Sequence, residues 1–242
     1  MDRVLHRNAA FALAGLFLFA IWGFWPNYFS HPFTQANWRL HFHGITLISW
    51  FGLMISQAYL IRANKRRVHR QLGKVSFLLA PTVVISTLVL AHYTLRPTEL
   101  TDATLYFLLL PVALLLQFLL AYGLAIYHRR NPPLHARFMI CTALPMMPAI
   151  FDRIMLFYVL PPTRAQFLPQ IGGGPQYWLI SWAMVDVILI LLAIWDWRSR
   201  RRLNVFPVVL AGFIILEALT MTAYSTASWR SFTHWFLSLP IS

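Results

Sequence analysis

Asp152 and Arg153 stand side by side in "AIFDRIMLFYVL" (149–160), a run that is otherwise apolar. Two more of the seven acids, Asp186 and Glu217, also stand deep inside apolar runs. A charged side chain at the centre of a bilayer costs about 2.5–3.5 kcal/mol on insertion scales, so such groups face a bundle interior, a partner or water. Neighbouring residues on a helix point about 100° apart, so Asp152 and Arg153 do not neutralise each other across one face. Arg153 is expected to meet Asp186 or Glu217 on another helix, or to snorkel toward the interface. These four residues therefore predict an interhelical polar network. It would relay protons, line a ligand cavity, tune a nearby cofactor, or serve only as a structural ion-pair lock.

The nine histidines supply a second chemistry. They fall in two layers: His31, His41, His43, His92 and His234 toward one side, and His6, His69, His128 and His135 toward the other. His69 and His92 share a run but lie 23 residues apart, about 35 Å on a helix, so they belong to different sites. His43 and His92 stand about one turn inside the ends of neighbouring runs. They are candidates to clamp a haem b axially from two helices. With His41 they are alternatively candidate ligands of a transition metal through imidazole nitrogen. His69 and His135 open two runs in matched positions and form a candidate second pair. The plain alternative for each is an interfacial histidine bonded to backbone, lipid headgroup or water. No Walker loop, HExxH, GxSxG or dinucleotide fingerprint is present.

The elements that must position these residues follow from composition. The chain has 242 residues, 59% hydrophobic and 11% charged, with a mean hydropathy of +0.60. A soluble domain is about 25% charged, so this chain has too few charges to cover a water-facing surface. A hydrocarbon core about 30 Å thick needs roughly 20 apolar residues per helical span. Seven runs meet that requirement: 9–29, 42–62, 74–95, 104–127, 135–160, 177–197 and 205–226. In lipid the backbone must satisfy its own hydrogen bonds, and the runs do not alternate, so they are helices. The expected fold is all-α: one integral membrane domain over 1–242, a polytopic transmembrane bundle of about seven spans. The first run lacks a small-residue cleavage site and reads as a retained span rather than a signal peptide. Pro145 and Pro148 are expected to bend the fifth span.

The net charge of +13 does not indicate nucleic acid, because the bases cluster in short turns. They follow the second, fourth and sixth runs (Arg62 to Lys74, Arg129 to Arg137, Arg198 to Arg202) and precede the first, while the other side holds only Arg39, Arg96, Arg164 and Arg230. The positive-inside rule then puts the N-terminus in the cytoplasm and the C-terminus outside. The inner turns suit anionic lipid headgroups. Outer aromatics such as Trp25, Trp38, Tyr158 and Trp229 form an aromatic belt. The Pro/Gly-rich loop 161–176 is expected to cover an outward-facing cavity, with "GGG" at 172–174 as loop material. The single Cys141 excludes an internal disulfide. A faint repeat matches Gln57, Arg66-Arg67 and "HRQLG" with Gln117, Arg129-Arg130 and "HARFM".

The stretches "HGITLISWFGLMISQAYLIRANKRRVHRQLG" (43–73) and "HARFMICTALPMMPAIFDRI" (135–154) resemble a group of uncharacterised bacterial multi-histidine integral membrane proteins. The shared features are His43, Gln57, His69-Arg70, Leu72-Gly73, His135, Arg137, Met139 and Arg153. The resemblance implies the bacterial inner (cytoplasmic) membrane but no particular activity. The layered histidines are distantly similar to those of di-haem transmembrane cytochrome b proteins. There the ligands pair across alternate helices, and the fourth run here has no outer histidine to reproduce that pattern. Four functions fit the residues. The leading one is a membrane redox protein holding haem or a metal. A transporter or small-ligand binder using the intramembrane acids is the second. The third is a non-catalytic subunit or assembly factor of a membrane complex. A metal-dependent membrane hydrolase fits least, because the seventh run has no HxxxH.

Overall fold

The computed structural model describes residues 2–31, 37–96, 99–171, 174–200 and 205–241, without the side chains of 2–7, 170, 171, 174, 175 and 200. Ten α-helices follow one another among these residues: α1 (Asp2–Gly23), α2 (Trp38–Arg62), α3 (Arg66–Gly73), α4 (Ser76–Leu95), α5 (Asp102–Tyr127), α6 (Pro132–Cys141), α7 (Met147–Ile154), α8 (Trp178–Arg200), α9 (Phe206–Thr222) and α10 (Ala227–Ser238). The extended pairing among them is limited to Gln170–Ile171 with Gly174–Pro175. Residues 172 and 173 of the triple-glycine segment lie outside the described residues, as does the His6 side chain.

Five stretches are long and apolar enough to cross a bilayer: α2, α4, α5, the composite Pro132–Val159, and α8 up to Ser199. α9 and α10 make a sixth only as a pair, and they are bent by 89° to each other. Over its described side chains, Asn8–Gly23, the first helix is apolar but shorter. The seven runs expected from the sequence thus appear as helices, with five to six of them clear candidates to span. The outward surface is oily: Leu78 is 75% exposed, and Phe11 and Leu18 are 64% exposed. Water does not tolerate a surface of that kind, whereas acyl chains do.

Local sequence sets the helix ends. Asn37 Oδ1 accepts from the Arg39 N–H at 3.0 Å, and Thr101 Oγ1 accepts from the Thr104 N–H at 3.3 Å, which caps α2 and α5. Asn64, with φ 59°, makes the turn out of α2 in the left-handed region that asparagine tolerates. Pro145 has no N–H to donate back to Cys141. The helix there passes from α6 through a 3-10 turn at Leu144–Met146 into α7, and ends in a π turn at Met155–Val159. The Thr142 hydroxyl donates to the Met139 carbonyl at 2.6 Å beside this break.

Two hydrophobic centres hold the bundle. One joins α1, α2 and α4 around the fully buried Trp50. The other joins α5, α6, α7, α8 and α9 around Trp182, Phe206 and Phe213. Trp50 meets Phe118 of α5 at 5.0 Å between ring centroids, so α5 belongs to both. At the end opposite the basic turns, α10 folds across α4 and α5. The Trp229 indole N–H donates to the Leu105 carbonyl at 2.8 Å, and Phe236 packs on His92.

Gly212 of α9 leaves room for a side chain of α5. Gln117, 1% exposed, donates its amide N–H to the Val209 carbonyl at 2.9 Å. Its carbonyl oxygen lies 2.5 Å from where a Cβ on residue 212 would sit. Gly212→Leu is expected to lower the melting temperature in detergent, with an overpacking cost of about 1–3 kcal/mol. The double variant Gly212→Leu/Gln117→Ala should recover part of that loss. Equal melting of single and double variants would refute the contact.

Candidate functional site

The acids inside the bundle are each held from a neighbouring helix, and α8 takes part every time. The Ser181 hydroxyl donates to Asp152 Oδ1 of α7 at 2.5 Å. Asp186 faces Glu217 of α9 within hydrogen-bonding reach. Asp196 accepts from the Arg137 guanidinium of α6 at 2.9 Å, with the two side chains 2% and 1% exposed. From Ser181 to Asp196 is 15 residues, about 22 Å along a helix. Three polar stations are therefore spaced along α8, with buried Val185 between the first and second and buried Leu189 between the second and third.

The station nearest the aromatic end is the richest. Trp178 and Ser181 lie one turn apart on α8, so they share a face. The Trp178 ring packs 5.8 Å from Tyr106 of α5, and Tyr106 packs 5.7 Å from Tyr224, which follows α9. The Tyr106 phenol lies within electrostatic reach of Asp152. Tyr106 Oη and Trp178 Nε1 are both buried without a hydrogen-bond partner among the described residues. Arg153 turns the other way, with its guanidinium 5.7 Å from the Phe24 ring and its Nε unbonded. The loop after α7 packs down beside this station: Ala165 and Leu168 are buried with Tyr177, whose hydroxyl donates to the Leu160 carbonyl at 2.7 Å.

The expected network therefore divides: Asp186 and Glu217 meet, while Asp152 and Arg153 make their contacts elsewhere. Asp152 and Asp186 lie one and a half turns apart in their α8 contacts, and Arg153 meets an aromatic ring of the first helical region instead of Asp186 or Glu217. An ionised carboxylate only accepts hydrogen bonds. The Asp186–Glu217 contact consequently calls for a proton on one of the two when they bond.

The histidines divide more sharply. His43 Nδ1 lies 3.4 Å from Ser86 Oγ and 3.5 Å from Thr87 Oγ1 of α4. His92, six residues beyond Ser86 on the same helix, is fully buried and turns to Phe236 of α10, with 5.3 Å between ring centroids. His41 bonds the Tyr28 hydroxyl at 3.2 Å. The structure does not bring His41, His43 and His92 together. Among the described residues no group of three His, Cys, Asp or Glu side chains is arranged to hold a metal ion.

His69 and His135 do meet. Their rings stand edge to face at 6.4 Å, between α3 and α6 at the basic end. His135 Nδ1–H donates to the Ala125 carbonyl at 2.9 Å, which in the neutral ring leaves Nε2 with its lone pair. The Gln57 amide donates to His69 Nδ1 and to the His69 carbonyl (3.1 Å), and accepts from the Gly73 N–H at 3.1 Å. Burial and the neighbouring His135 push the His69 pKa down, against an upward push from the Gln57 backbone, so the ring is neutral at neutral pH. The sequence repeat pairs Gln57 with Gln117, but Gln117 bonds α9 and not His135. The two hairpins thus share a pattern and differ in use.

Sequence reasoning passed over the Arg137–Asp196 pair. Asp196 stands two residues before Arg198 and Arg137 in a basic turn, so both read as interfacial. The available signal was the scarcity of acids: a carboxylate this close to a basic end is a natural partner for an arginine entering the next helix. Breaking a buried ion pair at one end leaves an uncompensated charge, typically at a cost of about 3–5 kcal/mol. Arg137→Leu and Asp196→Leu should each lower thermal stability strongly, and the double variant should be more stable than either. Additive losses in melting temperature would refute the coupling.

No family model, curated protein or solved structure matches the chain.

Proposed function

We propose that this protein is a seven-pass membrane protein that binds a small molecule and couples its movement to protons through the acids along α8. In this reading α1 and α9 complete the five clear spans. The basic turns face the cytoplasm against anionic lipid headgroups, and α10 lies along the outer interface of a bacterial inner membrane. The observation that carries the reading is the Asp186–Glu217 contact. Two carboxyls in reach of each other, placed mid-helix in apolar surroundings, are a group that takes up and releases a proton. The Asp152 station, 7–8 Å further along α8 by helical rise (about 1.5 Å per residue), supplies the binding groups. The loop 161–176 would gate that station from outside.

The test is proton movement in proteoliposomes carrying a trapped pH-sensitive dye. Wild-type protein should dissipate an imposed pH gradient faster than empty vesicles. Asp186→Asn and Glu217→Gln should each reduce that rate by about tenfold or more while keeping the melting temperature. Unchanged rates in both variants would sink the proposal.

A second reading is favoured by one observation, the His69–His135 contact at 6.4 Å, in which His135 Nδ1–H donates to the Ala125 carbonyl and so turns Nε2 toward ligation. Ligating histidines are commonly oriented in this way by a bond at the other ring nitrogen. A transition metal or haem would be held there by His69 and His135, with further ligands from outside the pair, and would supply redox or Lewis-acid chemistry. The Ala125 carbonyl would hold the His135 ring in place, and Gln57 the His69 ring. Titration of purified protein with Cu(I) or Zn(II) should then show one site that is lost in His69→Ala and His135→Ala. Identical binding in both variants, or none in the wild type, removes this reading.

A further inference from the structure

We propose that the Asp152 station binds a small organic ammonium ion that also carries an oxygen acceptor. This deepens the reading of α8 as a ligand- and proton-handling helix and rests on it. Three features of the station specify the ligand.

The first is charge. Among the described residues Asp152 has one hydrogen bond, from Ser181, whereas a carboxylate offers about four lone-pair sites. Its sequence neighbour Arg153 contributes some electrostatic relief. The Arg153 guanidinium is spent on Phe24, and no ion pair joins it to Asp152 among the described residues. A carboxylate in the bundle without a bonded cation is a receptor for one.

The second is the wall. Tyr106, Trp178 and Tyr224 form a contiguous aromatic group, with centroid separations of 5.8 and 5.7 Å. Aromatic faces attract cations, Trp most strongly, and attract them better out of water. An alkylammonium ion, weakly hydrated and apolar at its rim, suits such a wall better than a metal ion, which needs several oxygen ligands.

The third is the pair of orphaned donors. Tyr106 is 1% exposed and Trp178 is 3% exposed, yet Tyr106 Oη and Trp178 Nε1 have no partner among the described residues. Buried indole N–H and phenol groups normally find one. A ligand hydroxyl or carbonyl oxygen within reach of both would satisfy them, while its ammonium group meets Asp152. Ordered water is the competing occupant. It would satisfy the donors without any preference for a cation.

The experiment is equilibrium binding to the purified full chain in nanodiscs, read by calorimetry, with choline, ethanolamine and the neutral choline isostere 3,3-dimethyl-1-butanol as probes. Saturable binding of choline or ethanolamine is expected, with the neutral isostere at least about tenfold weaker. Asp152→Asn should weaken binding of the cation at least about tenfold. Tyr106→Phe keeps the ring and removes the hydroxyl, so it should weaken the oxygen-bearing probes while leaving tetramethylammonium, added as a fourth probe, unchanged. If Asp152→Asn fails to fold, the Tyr106→Phe comparison and the neutral isostere decide the matter. Absence of saturable binding by both cations, equal affinity for the neutral isostere, or no change in Asp152→Asn would each overturn the proposal, and water would then be the occupant. Because the measurement uses no gradient, failure here leaves the proton-flux result standing, and failure of flux with intact binding sinks only the coupling.

Discussion

Everything in this molecule depends on where a carboxyl group can go when the surrounding solvent is oil. Lipid offers no hydrogen bond, so each acid within the bundle must find a partner on another helix. Asp152 finds Ser181, Asp186 finds Glu217 and Asp196 finds Arg137. All three contacts involve α8. That helix is consequently both the centre of the larger hydrophobic core, through Trp182, Val185 and Leu189, and the spine of the polar groups. One face of it serves packing, and its flanks carry the acids and their partners.

The three contacts do different physical work. The Arg137–Asp196 pair is almost wholly excluded from solvent and joins two opposite charges, so it fixes the relative position of α6 and α8. Fixing α6 also fixes His135, two residues before Arg137, against His69. The Asp186–Glu217 pair joins two like groups, so a hydrogen bond between them requires a proton on one. Asp152 is underemployed by comparison. Its one hydrogen bond and the unbonded phenol and indole nearby leave interaction capacity unused among the described residues.

The break in the chain between α6 and α7 makes this arrangement possible. Pro145 stops the α-helix, and the following turn rotates α7 so that Asp152 meets α8 while Arg153 faces the first helical region. An unbroken helix through 132–159 would place His135, Arg137 and Asp152 on a fixed angular schedule of about 100° per residue. The 3-10 turn removes that constraint, and the two ends of the span make separate contacts.

Much of the fold was legible in the sequence. Hydropathy alone separates the apolar runs, because a bilayer demands length and apolarity locally and the helix satisfies its backbone within itself. The interruption at Pro145 was legible for the same reason, as was the importance of Asp152, Asp186 and Glu217, whose burial in oil is a cost that any fold must answer. Partners are a different matter. Adjacent residues on a helix diverge, and whether Arg153 meets an acid or Phe24 depends on the rotation of a neighbouring span. His43 and His92 look alike by depth, yet one faces Ser86 and the other lies beneath α10, because depth is set by sequence position while azimuth is set by packing. Asp196 looked interfacial until Arg137 appeared beside it. What the sequence by itself determined is the solvent, the helices and the short roll of groups that need company. Only the tertiary structure decided which of them keep company, since long-range pairing depends on how helices rotate and bend against one another, and no local pattern encodes that.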